Sequence, residues 1–535
     1  METRAYRTPI PVRAFVRRCK QRRFRSKVVD TTGARLSGGN LLARTLVLRR
    51  LLLRHVLDAD EEYVGILLPP SLGGVVTNTA VSLAKRIAVN LNYTLAEEVM
   101  NSCIAQCGIK VVLTSRRVVE QMGVELDAEM VYLEDLGHSV TWVDKLVSAF
   151  QAYVSPAWIL ERHLGLHTIA FDDVLAVIFT SGSTGTPKGA MLTQTNIASN
   201  VQAADDVIQL NSDDVLVGVL PFFHSFGYTL SMWTVMMLDI GGAYHFNPLQ
   251  SRQVGKLCEM SGGTILLATP SFLRAYLRRC TRANFATLEA ILVGAERLPR
   301  QLTGAFEEKF GVRPVEGYGC TETSPLVSSN IPPSRSKSDL DLKEGTVGRP
   351  VPGVRAKVTA LASSEELGPS QQGMLWVKGP NVMKGYLGRE DKTAEVIQNG
   401  WYRTGDVVLL DEDGFITIVG RESRFAKIMG EMVPLDGIET ALNQIIGVGE
   451  DEGQKASVTA VPDEKTGERL VVVHTPTEQT PEDLRQALLD EGLSYIYVPP
   501  VDSFLQVDDL PMLGTGKLDH KSIRQMAEAI LFPAK

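Results

Sequence analysis

The sequence predicts an α/β fold. It consists of a large N-terminal domain of α/β subdomains with a small β-barrel-like part, followed by a small α+β C-terminal domain. Three observations carry this reading. Over roughly the first 420 residues, apolar strand-like runs alternate with helical ones. Gly-rich turns and β-type runs then close that block. A charged break follows Gly420, and a compact pattern of helix, strands and helix comes after it. At 535 residues the chain exceeds what one ordinary core organises. The break divides it into domains 1–420 and 421–535.

In chain order, the first helical stretch is "RTLVLRRLLLRHVL" (44–57), apolar with interspersed arginines. It reads as a core helix in preference to a membrane-surface one. Buried strands are expected at 63–69, 109–115, 174–180, 214–221 and 288–296, each a short apolar run bounded by turn residues. "GTVGRPVPGVRAKV", "GMLWVKGP" and "FITIVGR" supply the β-type runs. "PPSRSKSDLDLKEG" (332–345) reads as a polar loop, and "RESRFAKIMGEMVP" as a charged turn. In the small domain "GIETALNQII" and "PEDLRQALLDEG" are helical, and "ASVTAVP" and "LVVVHTP" are strands.

Strand 174–180 runs directly into "TSGSTGTPKG". Glycines at 182, 185 and 189 let the backbone approach a ligand closely. The hydroxyls of Thr180, Ser181, Ser183 and Thr184, with the loop amides, form a donor-rich surface of the kind phosphate oxygens accept. Lys188 adds a mobile positive charge. The common mononucleotide P-loop does not fit. Pro187 precedes the lysine where that motif has glycine, and Gly189 follows it where the motif has Ser or Thr.

Hydrophobic content of 44% and charged content of 22% are those of a globular protein, and the net charge of −7 argues against general nucleic-acid binding. The six cysteines include no C-x-x-C pair. They read as reduced cytosolic thiols, not as a disulfide or zinc framework, and point to a cytoplasmic protein. No signal peptide or spanning segment is legible. Basic residues crowd positions 13–27, from Arg13 to Lys27. Three readings of them stand: a solvated arm, a dock for an acidic carrier protein, and a contact with anionic lipid at the inner membrane face.

Further unusual segments end other strands: "PFFHSFG" (221–227), "VGAERLP" (293–299) and "EGYGCTET" (316–323). "WYRTGD" and "GRESRFAKI" close the large domain, and "LPMLGTGKLDH" (510–520) sits near the C-terminus. Strand-end loops are where α/β folds bind ligands. In order and spacing these segments resemble the adenylate-forming superfamily of acyl-CoA synthetases, luciferases and nonribosomal adenylation domains, over essentially the whole chain. "GRESRFAKIMGEMVPLDGIE", "LPMLGTGKLDH", "VNLNYTLAEE" and "KVVLTSRR" are most similar to the synthetase portion of the bacterial 2-acylglycerophosphoethanolamine acyltransferase/acyl-ACP synthetases. Long-chain fatty acyl-CoA synthetases are the other branch resembled.

The resemblance implies a set of roles. Thr180, Ser181, Gly182, Ser183, Thr184, Gly185 and Lys188 would hold the ATP phosphates, with Thr184 among the catalytic residues. Glu322, assisted by Thr180, would bind Mg2+. Thr321 would contact the α-phosphate. Tyr318, beside Gly319, would stack on adenine, and Gly294, Ala295 and Glu296 would line the base pocket. Asp406 would accept both ribose hydroxyls, and Arg421 would complete the ribose and phosphate contacts. Lys517 would be the adenylation lysine, and His224 a gate between carboxylate and acyl tunnel. The small domain would be mobile, rotating about a hinge at Arg424.

The substrate implied is a medium-to-long-chain fatty acid. It would be activated as acyl-AMP and passed to a thiol, that of CoA or of the phosphopantetheine arm of acyl carrier protein. The Met-rich segment "FGYTLSMWTVMMLDIGG" fits an alkyl tunnel or plain core equally. Two H-x-x-x-x-D matches, His55 to Asp60 and His167 to Asp172, are too loosely placed to indicate an acyltransferase domain. A regulator that binds nucleotide and fatty acid without catalysis is the alternative, against which the retained Lys188, Glu322, Asp406, Arg421 and Lys517 argue.

Overall fold

The computed structural model describes residues 9–180, 187–361, 363–429, 431–447, 454–463, 465–512 and 518–532. Two large sheets organise the N-terminal part. The first has nine strands, running in space from Arg349–Pro350 through Leu326–Ser329, Pro314–Gly319, Ala290–Val293, Ile265–Ala268, Val215–Gly218, Gly241–Tyr244 and Ser26–Asp30 to Arg35–Ser37. Its interior pairings are parallel, and antiparallel strands close both edges. The second has seven strands, with Val174–Thr180 beside Ile87–Asn90 on one side and Lys188–Thr193 on the other. The short apolar runs expected as strands all form, because both faces of a parallel sheet are covered by helices and continuous apolar sequence can be buried.

The small β part is a five-stranded antiparallel sheet in which Trp401–Leu410 pairs with both Gln372–Lys378 and Ile416–Arg421. Among the described residues, the smaller C-terminal domain has its own five-stranded sheet and three α-helices, Leu435–Ile445, Pro481–Asp490 and His520–Leu531. Its apolar clusters draw only on residues from Ala426 onward, so it buries its own core. The stretch read as a charged turn is a β-hairpin, Phe425–Ile428 paired with Glu431–Pro434. Its alternation was hidden by charges that face solvent on one side.

Helix Gly38–His55 is a core helix, as the sequence suggests, with Leu41, Leu42, Leu46 and Leu52 buried. The loop at 332–345 forms two short 3-10 turns. It is pinned by Arg335, which reaches Asp214 at 2.7 Å and Glu289 at 2.6 Å.

The basic N-terminal segment is not a solvated arm. It builds helix Pro11–Gln21 and strand Ser26–Asp30 inside the large domain. Arg13 and Arg17 hold Glu161 at 2.8 and 2.6 Å. Lys20 donates to the carbonyl of Gln151 at 2.7 Å, and Lys27, fully buried, donates to Leu238 and Ile240 carbonyls at 2.7 and 2.8 Å. Structural carbonyls and one buried carboxylate take up charges that a one-dimensional reading leaves to solvent. The Met-rich segment likewise packs as core: Met232, Trp233 and Met236 are fully buried in the main apolar cluster.

Candidate nucleotide site

The strand ends at the junction of the two large sheets and the antiparallel sheet bring the scattered motifs together. Thr180 ends Val174–Thr180 and pairs in register with Lys188, which begins the next strand. Ser181, Gly182, Ser183, Thr184 and Gly185 lie outside the described residues, as does Lys517. Lys188 Nζ stands 4.6 Å over the ring of Tyr386, and the Tyr386 hydroxyl donates to Glu322 Oε1 at 2.7 Å. Burial and the neighbouring Glu322 push the Tyr386 phenol well up, so it stays a donor. Glu322 sits in the short 3-10 turn Thr321–Thr323, and its backbone carbonyl accepts from Met383 at 2.8 Å.

A second cluster adjoins the first. Asp406 and Arg421 face each other in register on neighbouring strands, with Arg421 Nε 3.1 Å from Asp406 Oδ1. The Tyr318 hydroxyl donates to Asp406 Oδ2. Asp406 is 3% exposed, whereas the Arg421 side chain is 64% exposed and can turn toward a ligand. Burial pushes the Asp406 carboxyl above its ordinary value, Arg421 and Tyr318 oppose that rise, and the nearby Glu322 adds to it. Burial, then Asp406, holds the Tyr318 phenol far above its usual range. A carboxylate has about four lone-pair sites, so Asp406 keeps acceptor capacity for further hydroxyls.

Gly319 has no room for a side chain: a Cβ there would lie 2.0 Å from the Pro325 carbonyl oxygen. That contact folds the "GYGCTET" stretch back so that Tyr318 and Glu322 serve the two clusters. Cys320 lies between them, its thiol pushed up by burial. Gly294 follows strand Ala290–Val293, and a Cβ there would come within 3.2 Å of the Phe226 ring. The "VGAE" and "PFFHSFG" stretches therefore meet. Ala295 takes a left-handed φ of 69° and is exposed. The Glu296 carboxylate is taken up by Ser271, from whose hydroxyl it accepts at 2.7 Å at the start of helix Pro270–Arg279. His224 is exposed, its ring 4.5 Å from that of Phe223.

Arg424 lies between the last strand of the antiparallel sheet and the first of the small domain. Its guanidinium is locked inward: Nε to Asp436 at 2.6 Å, Nη1 to the Val458 carbonyl at 2.7 Å and Nη2 to Glu439 at 2.7 Å. On the other side, Arg403 holds Glu422 at 2.6 Å. The chain is gripped at 422 by the large domain and at 424 by the small one, with Ser423 between. Tyr386 and Tyr402 are the residues that sequence reasoning missed. Both lie in segments rich in glycine and aromatics, "KGYLG" and "GWYRTGD", whose tyrosines look like ordinary core until the sheet packing places them against Glu322 and Cys320.

The donor set suits a hard cation. Among the described residues no cluster of three or more His, Cys, Asp or Glu side chains forms a metal cage. Glu322, one nearly buried carboxylate, fits Mg2+, an ion that takes one or two carboxylates and fills its remaining positions with phosphate and water.

Fold and site together define a two-domain α/β protein in which the ends of several strands converge on two neighbouring polar clusters. The chain belongs to the AMP-binding enzyme family, which matches residues 15–387. It is 31% identical over 365 residues to a long-chain-fatty-acid–CoA ligase of Escherichia coli O6:H1, covering 66% of this chain and 62% of that protein. It is 32% identical over 363 residues to a feruloyl-CoA synthase of an Amycolatopsis species, covering 67% of this chain and 70% of that protein. Among solved structures, ATP-bound MatB from Rhodopseudomonas palustris is similar with a TM-score of 0.77 at 25% identity, covering 97% of this chain and 99% of that one. MenE of Bacillus subtilis, solved with ATP and magnesium, shares the fold at a TM-score of 0.78 and 22% identity, covering 96% and 99%.

Proposed function

We propose that the protein is an acid–thiol ligase that activates a medium-to-long-chain fatty acid with ATP. The observation that carries this reading is the joining of five distant stretches into neighbouring polar clusters, Lys188–Tyr386–Glu322 through a cation–π contact and a hydrogen bond, and Tyr318–Asp406–Arg421 through a hydrogen bond and an ion pair. A carboxylate is a poor acyl donor. Its oxygen attacks the α-phosphorus of ATP, the bond to the bridging oxygen breaks, and pyrophosphate leaves with the electron pair. The thiol sulfur then attacks the acyl carbonyl, and AMP departs. Such chemistry needs positioning and charge stabilisation more than covalent help.

In this reading Asp406 accepts the ribose hydroxyls, and Arg421, exposed and pivoting on Asp406, reaches ribose and phosphate. Tyr318 stacks on adenine while its hydroxyl fixes Asp406. Gly294, Ala295 and Glu296 border the base, of which Glu296 contributes backbone, since its side chain is held by Ser271. Thr321 faces the α-phosphate, Thr180, residues 181–185 and Lys188 the outer phosphates, and His224 the acyl entrance. Mg2+ at Glu322 and Thr180 would supply neutralising charge to the phosphates. Lys517 would complete adenylation, which requires residues 421–535 to close on 1–420 as separate domains. The hinge in this reading is at Arg424, where the grips at Glu422 and Arg424 meet.

Two acceptors follow from the chemistry, CoA and the phosphopantetheine arm of acyl carrier protein. The long-chain ligase relatives favour CoA. The "GRESRFAKI" and "LPMLGTGKLDH" stretches favour the carrier protein. The similarity to a feruloyl-CoA synthase supports a second reading in which the acid is aromatic. One product assay decides among them: ATP and Mg2+ with palmitate, acetate or ferulate, each with CoA and with holo acyl carrier protein. Palmitate turnover well above the other acids supports the fatty-acid reading. Ferulate or acetate turned over as well as palmitate refutes it, and no pyrophosphate with any acid favours a non-catalytic binding protein.

A further inference from the structure

Helix Trp142–Tyr153 turns to solvent side chains that proteins ordinarily bury. Trp142 is 71% exposed, Leu146 59%, Phe150 59%, Val154 65% and Trp158 68%. The spacing is four residues throughout, so the first three lie on one helix face. The opposite face is the packed one: Asp144, Ser148 and Ala152 are buried, against helix Gly38–His55. The row continues into helix Ala157–His163, which packs, like Trp142–Tyr153, on helix Pro11–Gln21. Phe24, also exposed, extends it sideways, its ring 5.7 Å from Tyr153. Single exposed apolar residues are normal in any protein, but a contiguous row of aromatic and aliphatic ones marks a contact surface.

The exposed charges on the two helices have one sign, and an acid at the Phe24 end, Asp213, is paired with Arg25 at 3.7 Å. Between Leu136 and Phe171 the sequence holds two acids, Asp144 and Glu161. Both are buried, and each is held by two arginines: Asp144 by Arg50 and Arg54 at 3.0 and 2.6 Å, Glu161 by Arg13 and Arg17 at 2.8 and 2.6 Å. Helices Pro11–Gln21 and Gly38–His55, packed behind the row, contain no acid at all. Lys145, Arg162 and His163 on the two exposed helices stand in solvent. So do Arg44 and His55 on the helix behind, and Arg23, whose guanidinium lies 5.3 Å from the Phe24 ring centre. The nearest exposed acids along the chain, Asp135 and Asp172, fall outside the two helices.

We propose that the face formed by helices Trp142–Tyr153 and Ala157–His163 docks the protein on an anionic lipid bilayer. An apolar row with tryptophan at either end, on two helices whose exposed charges are all cationic, is what an interfacial helix presents to headgroups and upper acyl chains. A second copy of the chain fits less well, because two such faces brought together oppose cation to cation. The docking surface is distinct from the nucleotide site, and it stands whether or not the fatty-acid reading does.

The test is co-sedimentation of the full chain with vesicles of phosphatidylcholine alone and with phosphatidylglycerol making up roughly a third of the lipid. The comparison is a triple variant, Trp142→Ser, Phe150→Ser and Trp158→Ser. The wild type is expected to sediment with the anionic vesicles, less at high salt, and the triple variant to bind at least about tenfold more weakly. Lys145→Glu with Arg162→Glu, which keeps the apolar row, is expected to weaken binding to anionic vesicles as well. Unchanged circular dichroism and pyrophosphate release by the triple variant show that it folds. Failure of the wild type to bind anionic vesicles, or equal binding by the triple variant, overturns the proposal. A wild-type dimer that the triple variant converts to monomer also overturns it, by giving the face to a second copy.

Discussion

Asp406→Asn distinguishes a carboxylate kept for a ligand from one kept for the fold. Asp406 is buried, takes the Tyr318 hydroxyl and pairs with Arg421 at 3.1 Å. Burial nevertheless raises its carboxyl above the ordinary value of 3.8. The sign follows by linkage. A carboxyl whose folded pKa lies above its unfolded one lets the folded state hold its proton longer, so ionising it at neutral pH costs stability. Asparagine has the same shape and no charge, so it removes that cost. For ATP the balance reverses. Two ribose hydroxyls donating to a carboxylate contribute about 1.5 kcal/mol each at the low end of the range for charged partners. Asparagine turns an NH2 group toward one of them. A loss of about 3 kcal/mol corresponds to roughly a hundredfold rise in the ATP KM. The assay is steady-state pyrophosphate release against ATP concentration, with denaturant unfolding run in parallel. The expected outcome is the large KM change with unfolding unchanged or shifted to higher denaturant. In the wild type, kcat/KM for ATP should fall on the acid side at a pH above that of an ordinary aspartate. An ATP KM within threefold of wild type, or stability lower by more than about 2 kcal/mol, would refute the reasoning.

Tyr386→Phe removes the hydroxyl that donates to Glu322 and leaves the ring beneath Lys188. Losing one hydrogen bond to a charged acceptor, about 1.5–3 kcal/mol, should raise the Mg2+ requirement roughly tenfold or more, read from rate against free Mg2+. Lys27→Met tests a buried cation: burial pushes the Lys27 ammonium down from 10.5 to about 7. Between those values the unfolded chain holds the proton and the folded one does not, so the wild type should gain on the methionine variant by about 1.4 kcal/mol per pH unit. Urea unfolding of both proteins at pH 6 and pH 9 measures it, and a pH-independent difference contradicts the burial argument. Arg424→Ala strips the buried Glu439 of its cation while Ser457 and the Val458 amide still donate at 2.7 and 2.9 Å. A loss of about 3 kcal/mol in the unfolding of the small domain is expected, with the large domain's transition unmoved.

The linear sequence determined the order and nature of the buried strands, because a parallel sheet covered on both faces demands short continuous apolar runs and shows them wherever it is cut. It also marked candidate positions that announce themselves by local composition. The glycine- and hydroxyl-rich stretch after strand Val174–Thr180 stands out in this way, and so do the stretch around Tyr318 and Glu322 and the one around Asp406, which the fold sets on strand Trp401–Leu410. Pairing was decided only in three dimensions. Tyr386 joins Lys188 to Glu322 across 198 and 64 positions of sequence, and no local pattern distinguishes it from a core tyrosine. The same holds for charge. Eight cations between Arg13 and Lys27 leave three readings open in the sequence, a solvated arm, a carrier-protein dock and a lipid contact. Folding sets the key ones against Glu161 and against carbonyls at helix and strand ends, because a buried carbonyl must find a donor and these side chains are long enough to reach. The apolar row from Trp142 to Trp158 shows the converse. Its period of four places it on one helix face, and the packing buries the other one. Asp144 lies on that other side, held by Arg50 and Arg54 at 3.0 and 2.6 Å; the partners a buried carboxylate requires come from helix Gly38–His55, about ninety positions away, where no local pattern reveals them.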